Sequence, residues 1–171
     1  MSRTVRFEWL KKTVIRLIGK PLAREFDRKS HNVQEVQKQV LLEAIENCRD
    51  TAFGRDHGFG SIKSVEDYQK AVPIADYEPH RPYVDRMTGG EASVLFPGKP
   101  LFYNTTSGTT GKPKYIPVSH RYFDEAYKKL SRVWMYTTLR DNPALFSGKN
   151  LSSVGAAEEG QVEDGTAYGS L

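Results

Sequence analysis

Residues 102–119 read Phe-Tyr-Asn-Thr-Thr-Ser-Gly-Thr-Thr-Gly-Lys-Pro-Lys-Tyr-Ile-Pro-Val-Ser. The centre of this run, from Thr106 to Lys114, places four hydroxyls, two glycines and two lysines in nine positions. Such a composition suits a polyphosphate. Gly108 and Gly111 can adopt positive φ and turn backbone amides toward an anion. The hydroxyls of Thr106, Ser107, Thr109 and Thr110 can donate to phosphoryl oxygens. Lysine brings a mobile full charge. The spacing excludes two familiar loops. Gly111-Lys112 is followed by Pro113 rather than Ser or Thr, so there is no Walker A loop, and no third glycine completes a dinucleotide turn.

Working outward, residues 101–105 read as a strand entering the loop and 115–118 as a strand leaving it, which predicts a hairpin with the loop at its tip. Ser119 is placed to cap a long helix reaching about Arg140, with Tyr122, Phe123, Ala126, Tyr127, Leu130, Val133 and Trp134 as its expected buried stripe. Asn142-Pro143 ends that helix, and residues 149–155 read as a further strand. Upstream, the pattern predicts helices over about 4–18, 21–29 and 32–49, the last with Val33, Val36, Val40, Leu41, Ala44 and Ile45 on one side. Ser64 should cap a short helix over 65–71 that stops at Val72-Pro73, and a helix over about 77–87 should stop at Thr88-Gly89-Gly90. Val94 to Phe96 reads as a short extended piece before a Pro97-Gly98 turn. The fold class is therefore α/β. Residues 1–90 form a helical N-terminal segment and 91–171 begin the α/β core of the same domain. With three or four strand candidates, and no helix or strand expected over 165–171, the sheet reads as incomplete.

Bulk composition narrows the class. The 171 residues are 38% hydrophobic and 27% charged, the make-up of a globular protein with no apolar run long enough to span a membrane. The single cysteine, Cys48, forms no internal disulfide, and no Cys/His cluster has metal-ligand spacing. A cytoplasmic setting is the expectation. The net charge of +4 is uneven, because residues 1–30 hold nine Lys/Arg against Glu8, Glu25 and Asp27. Phe7, Leu10, Val14 and Leu17 recur at helical spacing there, so this segment reads as an amphipathic surface helix with cations on its wet side. No zinc-finger or RNA-binding signature supports a nucleic-acid partner.

The run Ser107-Gly108-Thr109-Thr110-Gly111-Lys112-Pro113-Lys114 resembles the first core motif of adenylate-forming enzymes. The likeness is closer to the GH3 branch, the acyl-acid amido synthetases named for auxin-responsive genes. Further stretches resemble that branch: Phe53-Gly54-Arg55-Asp56-His57-Gly58, Val72-Pro73-Ile74-Ala75-Asp76-Tyr77, Val94-Leu95-Phe96-Pro97-Gly98 and Gly155-Ala156-Ala157-Glu158-Glu159-Gly160. The resemblance implies the N-terminal portion of a longer enzyme that activates a carboxylic acid with ATP and Mg2+ and passes the acyl group to an amino acid. It implies that Thr106, Ser107, Gly108, Thr109, Thr110, Gly111 and Lys114 hold the phosphates, with Lys114 the catalytic charge. Lys112 would face solvent and Pro113 would stiffen the loop exit. The helix after the loop would contribute Tyr127, Ser131 and Trp134 to the acid pocket. Glu158 and Glu159 read equally well as an exposed acidic turn. An acyl- or aryl-CoA ligase shares the same loop, and a catalytically inactive truncation product would retain it.

Overall fold

The structure, a computed structural model, describes residues 4–106, 114–144 and 156–170, with side chains from Trp9 onward. The chain divides into two compact units. One takes Met1–Val33 and Arg121–Ser153, the other Gln34–His120 and Val154–Leu171.

The first unit is helical. Helix α1, Thr4–Ser30, runs unbroken through Pro21. The break expected between 18 and 21 does not occur. Proline removes one backbone bond and costs about 3 kcal/mol within a helix. Packing against the later helix α6, Lys128–Asp141, offsets that cost. Gly19 and Ala23 are buried, and a Cβ at Gly19 would overlap the Cβ of Tyr136. These small residues, one helical turn apart, let the two backbones approach. The expected apolar side, Leu10, Val14 and Leu17, is exposed instead, with Leu17 at 70%. Large side chains there would hold the helices apart, whereas glycine and alanine do not.

A π-helical segment, Tyr122–Tyr127, precedes α6. Its wider turn shifts the phase of the apolar pattern. In α6 only Leu139 is fully covered, on the side that carries Tyr136. The expected stripe is a correction: Tyr122, Ala126, Tyr127, Leu130 and Trp134 are exposed, and Phe123 and Val133 half-buried. The stripe lies on the side of α6 opposite its contact with α1. Asn142 ends the helix as expected, its N–H donating to the Thr138 carbonyl at 2.8 Å.

The second unit holds the sheet. Helix α2, Val33–Cys48, buries only Ile45 of its expected apolar side. Thr51 follows, fully buried, and caps α3, Ala52–Asp56: its Oγ1 donates to the Cys48 carbonyl at 2.7 Å and accepts from the Gly54 N–H at 3.0 Å. The next two N–H groups of α3 belong to Ala52 and Phe53. They donate to the carbonyls of Ser93 and Val94 at 3.0 and 2.9 Å. Residues 94–96 therefore make bends rather than the expected extended strand. The Ser93 and Val94 carbonyls satisfy a helix start that would otherwise be orphaned. Ser93 takes φ 59°, and the turn closes through its N–H to the Gly98 carbonyl at 2.8 Å.

Helix α4, Val65–Ala71, is capped by Ser64 as expected, with Oγ accepting from the Asp67 N–H at 3.1 Å. A 3-10 turn, Glu78–His80, leads into α5, Arg81–Thr88, which stops at Gly89-Gly90. Strands β1, Phe102–Thr106, and β2, Lys114–Val118, pair antiparallel, so the predicted hairpin forms. With strands β3, Gly160–Gln161, and β4, Ala167–Gly169, the described residues form a four-stranded sheet in the order β2-β1-β4-β3. Strand β4 runs parallel to β1, pairing Tyr103 with Tyr168. It corrects the expectation that residues 165–171 hold no strand. Three residues are too few to show an alternating pattern, and the strand exists because β1 offers it a ladder. The strand expected over 149–155 lies outside the described residues.

Tyr103, Tyr115 and Tyr168 share one face of the sheet, with ring centroids 6.0 and 5.3 Å apart in succession. That face closes on Val84, Met87 and Val94. Tyr103 is wholly buried, and its hydroxyl has no hydrogen-bond partner among the described residues. Burial raises its pKa, so the group stays neutral. A buried donor left unpaired costs free energy that phenylalanine would not. Tyr103→Phe is thus expected to stabilise the protein by about 1 kcal/mol. Urea denaturation checks it; a loss of similar size would mean that the hydroxyl has a partner.

Candidate nucleotide-binding site

The ladder between β1 and β2 ends on the pair Thr106 and Lys114. Cross-strand partners in such a ladder stand about 5 Å apart. The two ends of the hydroxyl-rich run are thereby fixed side by side at the loop end of a hairpin. Both side chains are exposed. Ser107, Gly108, Thr109, Thr110 and Gly111, together with Lys112 and Pro113, lie outside the described residues.

Among the described residues, strand β2 is outermost in the sheet. Residues of alternate parity on such a strand point their backbone N–H and C=O away from the neighbour, where they lack ladder partners. At Tyr115 both groups are met by one side chain. The Tyr77 hydroxyl donates to the Tyr115 carbonyl at 3.1 Å and accepts from the Tyr115 N–H at 3.2 Å. Two residues on, Pro117 has no N–H to leave unpaired, which suits an outer strand. The Tyr77 phenol is pushed up by burial, so it keeps its proton at neutral pH.

The same ring carries two cations. The Lys114 Nζ lies 5.5 Å from its centroid and the Arg81 Cζ 4.8 Å. Arg81 also grips Glu78 through two hydrogen bonds of 2.8 Å, and these hold the Glu78 carboxyl below the usual range. On the other side of β1, the Thr105 hydroxyl donates to Glu159 Oε2 at 3.3 Å, and Ser170 Oγ donates to Glu159 Oε1 at 3.4 Å. Glu158 accepts from the Gln161 amide at 3.2 Å. Both glutamates are exposed, and Glu159 is tied to the strand that enters the loop.

The acid-pocket candidates belong to the helical unit. Tyr127 and Trp134 are exposed, Trp134 at 65%, and Phe123 stacks on Tyr127 with centroids 5.5 Å apart. Ser131 Oγ donates back to the Tyr127 carbonyl at 2.8 Å. The three candidates thus lie along one side of a single helix. Tyr77, Arg81 and the Thr105–Glu159 contact were not singled out from sequence as site features. Tyr77 closes the stretch Val72-Pro73-Ile74-Ala75-Asp76-Tyr77, which was the available signal for it.

The GH3 family N-terminal domain matches residues 22–171. The chain belongs to the GH3 family. Among curated GH3 proteins, a jasmonoyl–L-amino acid synthetase of Oryza sativa subsp. japonica, GH3.5, is 30% identical over 95 residues, 54% of this chain and 16% of that protein. A jasmonoyl–L-amino acid synthetase of Nicotiana attenuata, JAR4, is 23% identical over 147 residues, 85% of this chain and 25% of its own length. The solved structure of GH3.15 acyl acid amido synthetase superposes with a TM-score of 0.71 at 22% identity, covering 86% of this chain and 27% of that one. The helical start followed by a mixed sheet is therefore the architecture of the GH3 N-terminal region. The chain spans about a quarter, or less, of the length of these relatives. No helix among the described residues is long and apolar enough to cross a membrane.

Proposed function

We propose that this chain is the N-terminal portion of an ATP-dependent acyl-acid amido synthetase, and that its hairpin tip holds the β- and γ-phosphates of ATP. One observation carries the reading: the ladder sets Thr106 and Lys114 side by side at the two ends of the Ser/Thr/Gly run. A carboxylate oxygen of the acid attacks the α-phosphorus, the bond to the bridging oxygen breaks, and pyrophosphate leaves with the electron pair. An amino-acid amine then attacks the acyl carbon of the adenylate and AMP departs. Lys114 faces the charge that grows on the leaving group. The amides and hydroxyls of Ser107, Gly108, Thr109, Thr110 and Gly111, with Thr106, orient the phosphates. Tyr127, Ser131 and Trp134 contribute to the acid pocket.

The hydroxyls of the run, that of Thr106 among them, are hard oxygen donors of the kind that suit Mg2+. When bound, the ion would neutralise phosphate charge.

Comparing ATP–pyrophosphate exchange in two proteins tests the reading. The 171-residue chain alone is expected to show no carboxylate-dependent exchange, because it spans only about a quarter, or less, of the length of its relatives. The synthetase carrying this sequence is expected to show it, with the acyl group passing to an amino acid and not to coenzyme A. Exchange by the isolated chain, or transfer to coenzyme A, would contradict the proposal.

A further inference from the structure

We propose that Tyr77 is a positioning residue for Lys114, its ring giving the ammonium a fixed resting place and its hydroxyl anchoring the strand from which Lys114 projects. This rests on the reading of the hairpin tip as a phosphate site. A lysine at the first position of an outermost strand has two sources of freedom. Its four-carbon stem samples many rotamers, and the strand end that bears it can fray. Burying or fixing such a side chain costs up to about 2 kcal/mol of rotamer entropy at the moment of binding. A site that has already restricted the side chain loses less when the anion arrives.

Tyr77 acts on both freedoms at once. Its hydroxyl closes both open backbone groups of Tyr115, the residue next to Lys114. Its ring stands 5.5 Å from the Lys114 Nζ. An ammonium over a π face keeps N–H groups on its far side to donate to a phosphate, so the resting place need not compete with the ligand. Arg81 rests on the same ring, and the bidentate Glu78 pair fixes its guanidinium there. Tyr77 itself is held beside the core that closes on Tyr103 and Tyr115. The chain of contacts thus runs from the sheet core through one ring to the charge at the loop exit.

The test uses the 171-residue chain with carbon-13-labelled lysine, observed by NMR and titrated with inorganic pyrophosphate. The Lys114 ε-methylene protons are expected upfield of the other lysines, because the Nζ they adjoin stands over the Tyr77 ring. Tyr77→Leu should return them to the common position and raise the pyrophosphate Kd about fivefold, the scale of one exposed cation–π contact. Tyr77→Phe should keep the upfield shift and change Kd less than about twofold, while Tyr115 amide exchange accelerates about tenfold for the lost hydrogen bonds. Unshifted dispersion elsewhere in the spectrum certifies that each variant is folded.

Two failures overturn the proposal and are distinguishable. If pyrophosphate perturbs Lys114 equally in the natural chain and in Tyr77→Leu, Tyr77 has no positioning role and the phosphate site stands. If pyrophosphate leaves Lys114 unperturbed in the natural chain, the phosphate site itself is refuted, and Tyr77 has nothing to position.

Discussion

Replacing Lys114 by alanine in the proposed synthetase is expected to slow carboxylate-dependent ATP–pyrophosphate exchange about 100- to 1000-fold. That is the scale for removing one group that stabilises developing charge in a catalytic site. The size follows from when the charge is needed. Pyrophosphate gains negative charge as its bond to the α-phosphorus breaks, and on the proposed reading the Lys114 cation at the loop exit interacts more strongly with that state than with bound ATP. Rate is gained only from such a difference. The loss should therefore fall mainly on kcat, with a smaller rise in the KM for ATP. Lys114→Arg keeps the charge but replaces a compact ammonium by a planar fork, so partial recovery is expected. Stability should barely change, because the side chain is exposed. An alanine variant retaining more than about half the natural exchange rate would remove Lys114 from the catalytic step, since even a modest charge contribution exceeds that.

Gly54→Ala is expected to destabilise the fold by about 3 kcal/mol, the upper part of the range for a methyl group forced into a filled space. A Cβ there would overlap the carbonyl oxygen of Cys48 and stand 2.9 Å from that of Arg49. Both obstacles are backbone at the end of α2, and neither can rotate away. The position is buried, and its N–H is the one that Thr51 caps. Moving the helix to make room would break that bond and loosen the donors that Ser93 and Val94 accept. For a domain whose total stability is on the order of 10 kcal/mol, this is a large share. Urea denaturation followed by circular dichroism reads it directly. An unchanged midpoint would mean that the α2–α3 corner is far more yielding than its hydrogen bonds indicate.

What could be read from sequence was local. Ser64 with Asp67, the Gly89-Gly90 stop and Asn142 each work through groups a few residues apart, so residue type alone identifies them. The β1–β2 hairpin was legible because two short apolar runs flank one hydroxyl-rich loop; the likeness to adenylate-forming enzymes rested on that loop, and the likeness to the GH3 branch on the loop together with four further stretches. Features that depend on distant partners were not legible. Pro21 signals a helix break, yet Gly19 and Ala23 form a small-residue line that only α6 makes meaningful. The stripe from Phe123 to Trp134 has the right spacing for burial, but spacing does not say which side of a helix meets a neighbour. Strand β4 is too short to carry a pattern and depends on β1. At the candidate site, the hairpin was predicted with strands over 101–105 and 115–118, and the pair Thr106–Lys114 lies one residue beyond both. The bridge from Tyr77 spans 38 residues, and no local rule reaches that far.

The most direct measurement is the rate at which individual lysines of the 171-residue chain are acylated, followed by mass spectrometry with and without nucleotide. ATP and inorganic pyrophosphate should each slow modification of Lys114, and AMP, which lacks the β- and γ-phosphates, should protect it far less. Lys99 and Lys128, engaged with Asp164 and Asp124, should react alike in every case. If Lys114 is acylated equally fast at saturating ATP, or if AMP shields it as well as ATP does, the hairpin tip does not hold the phosphate tail of a nucleotide.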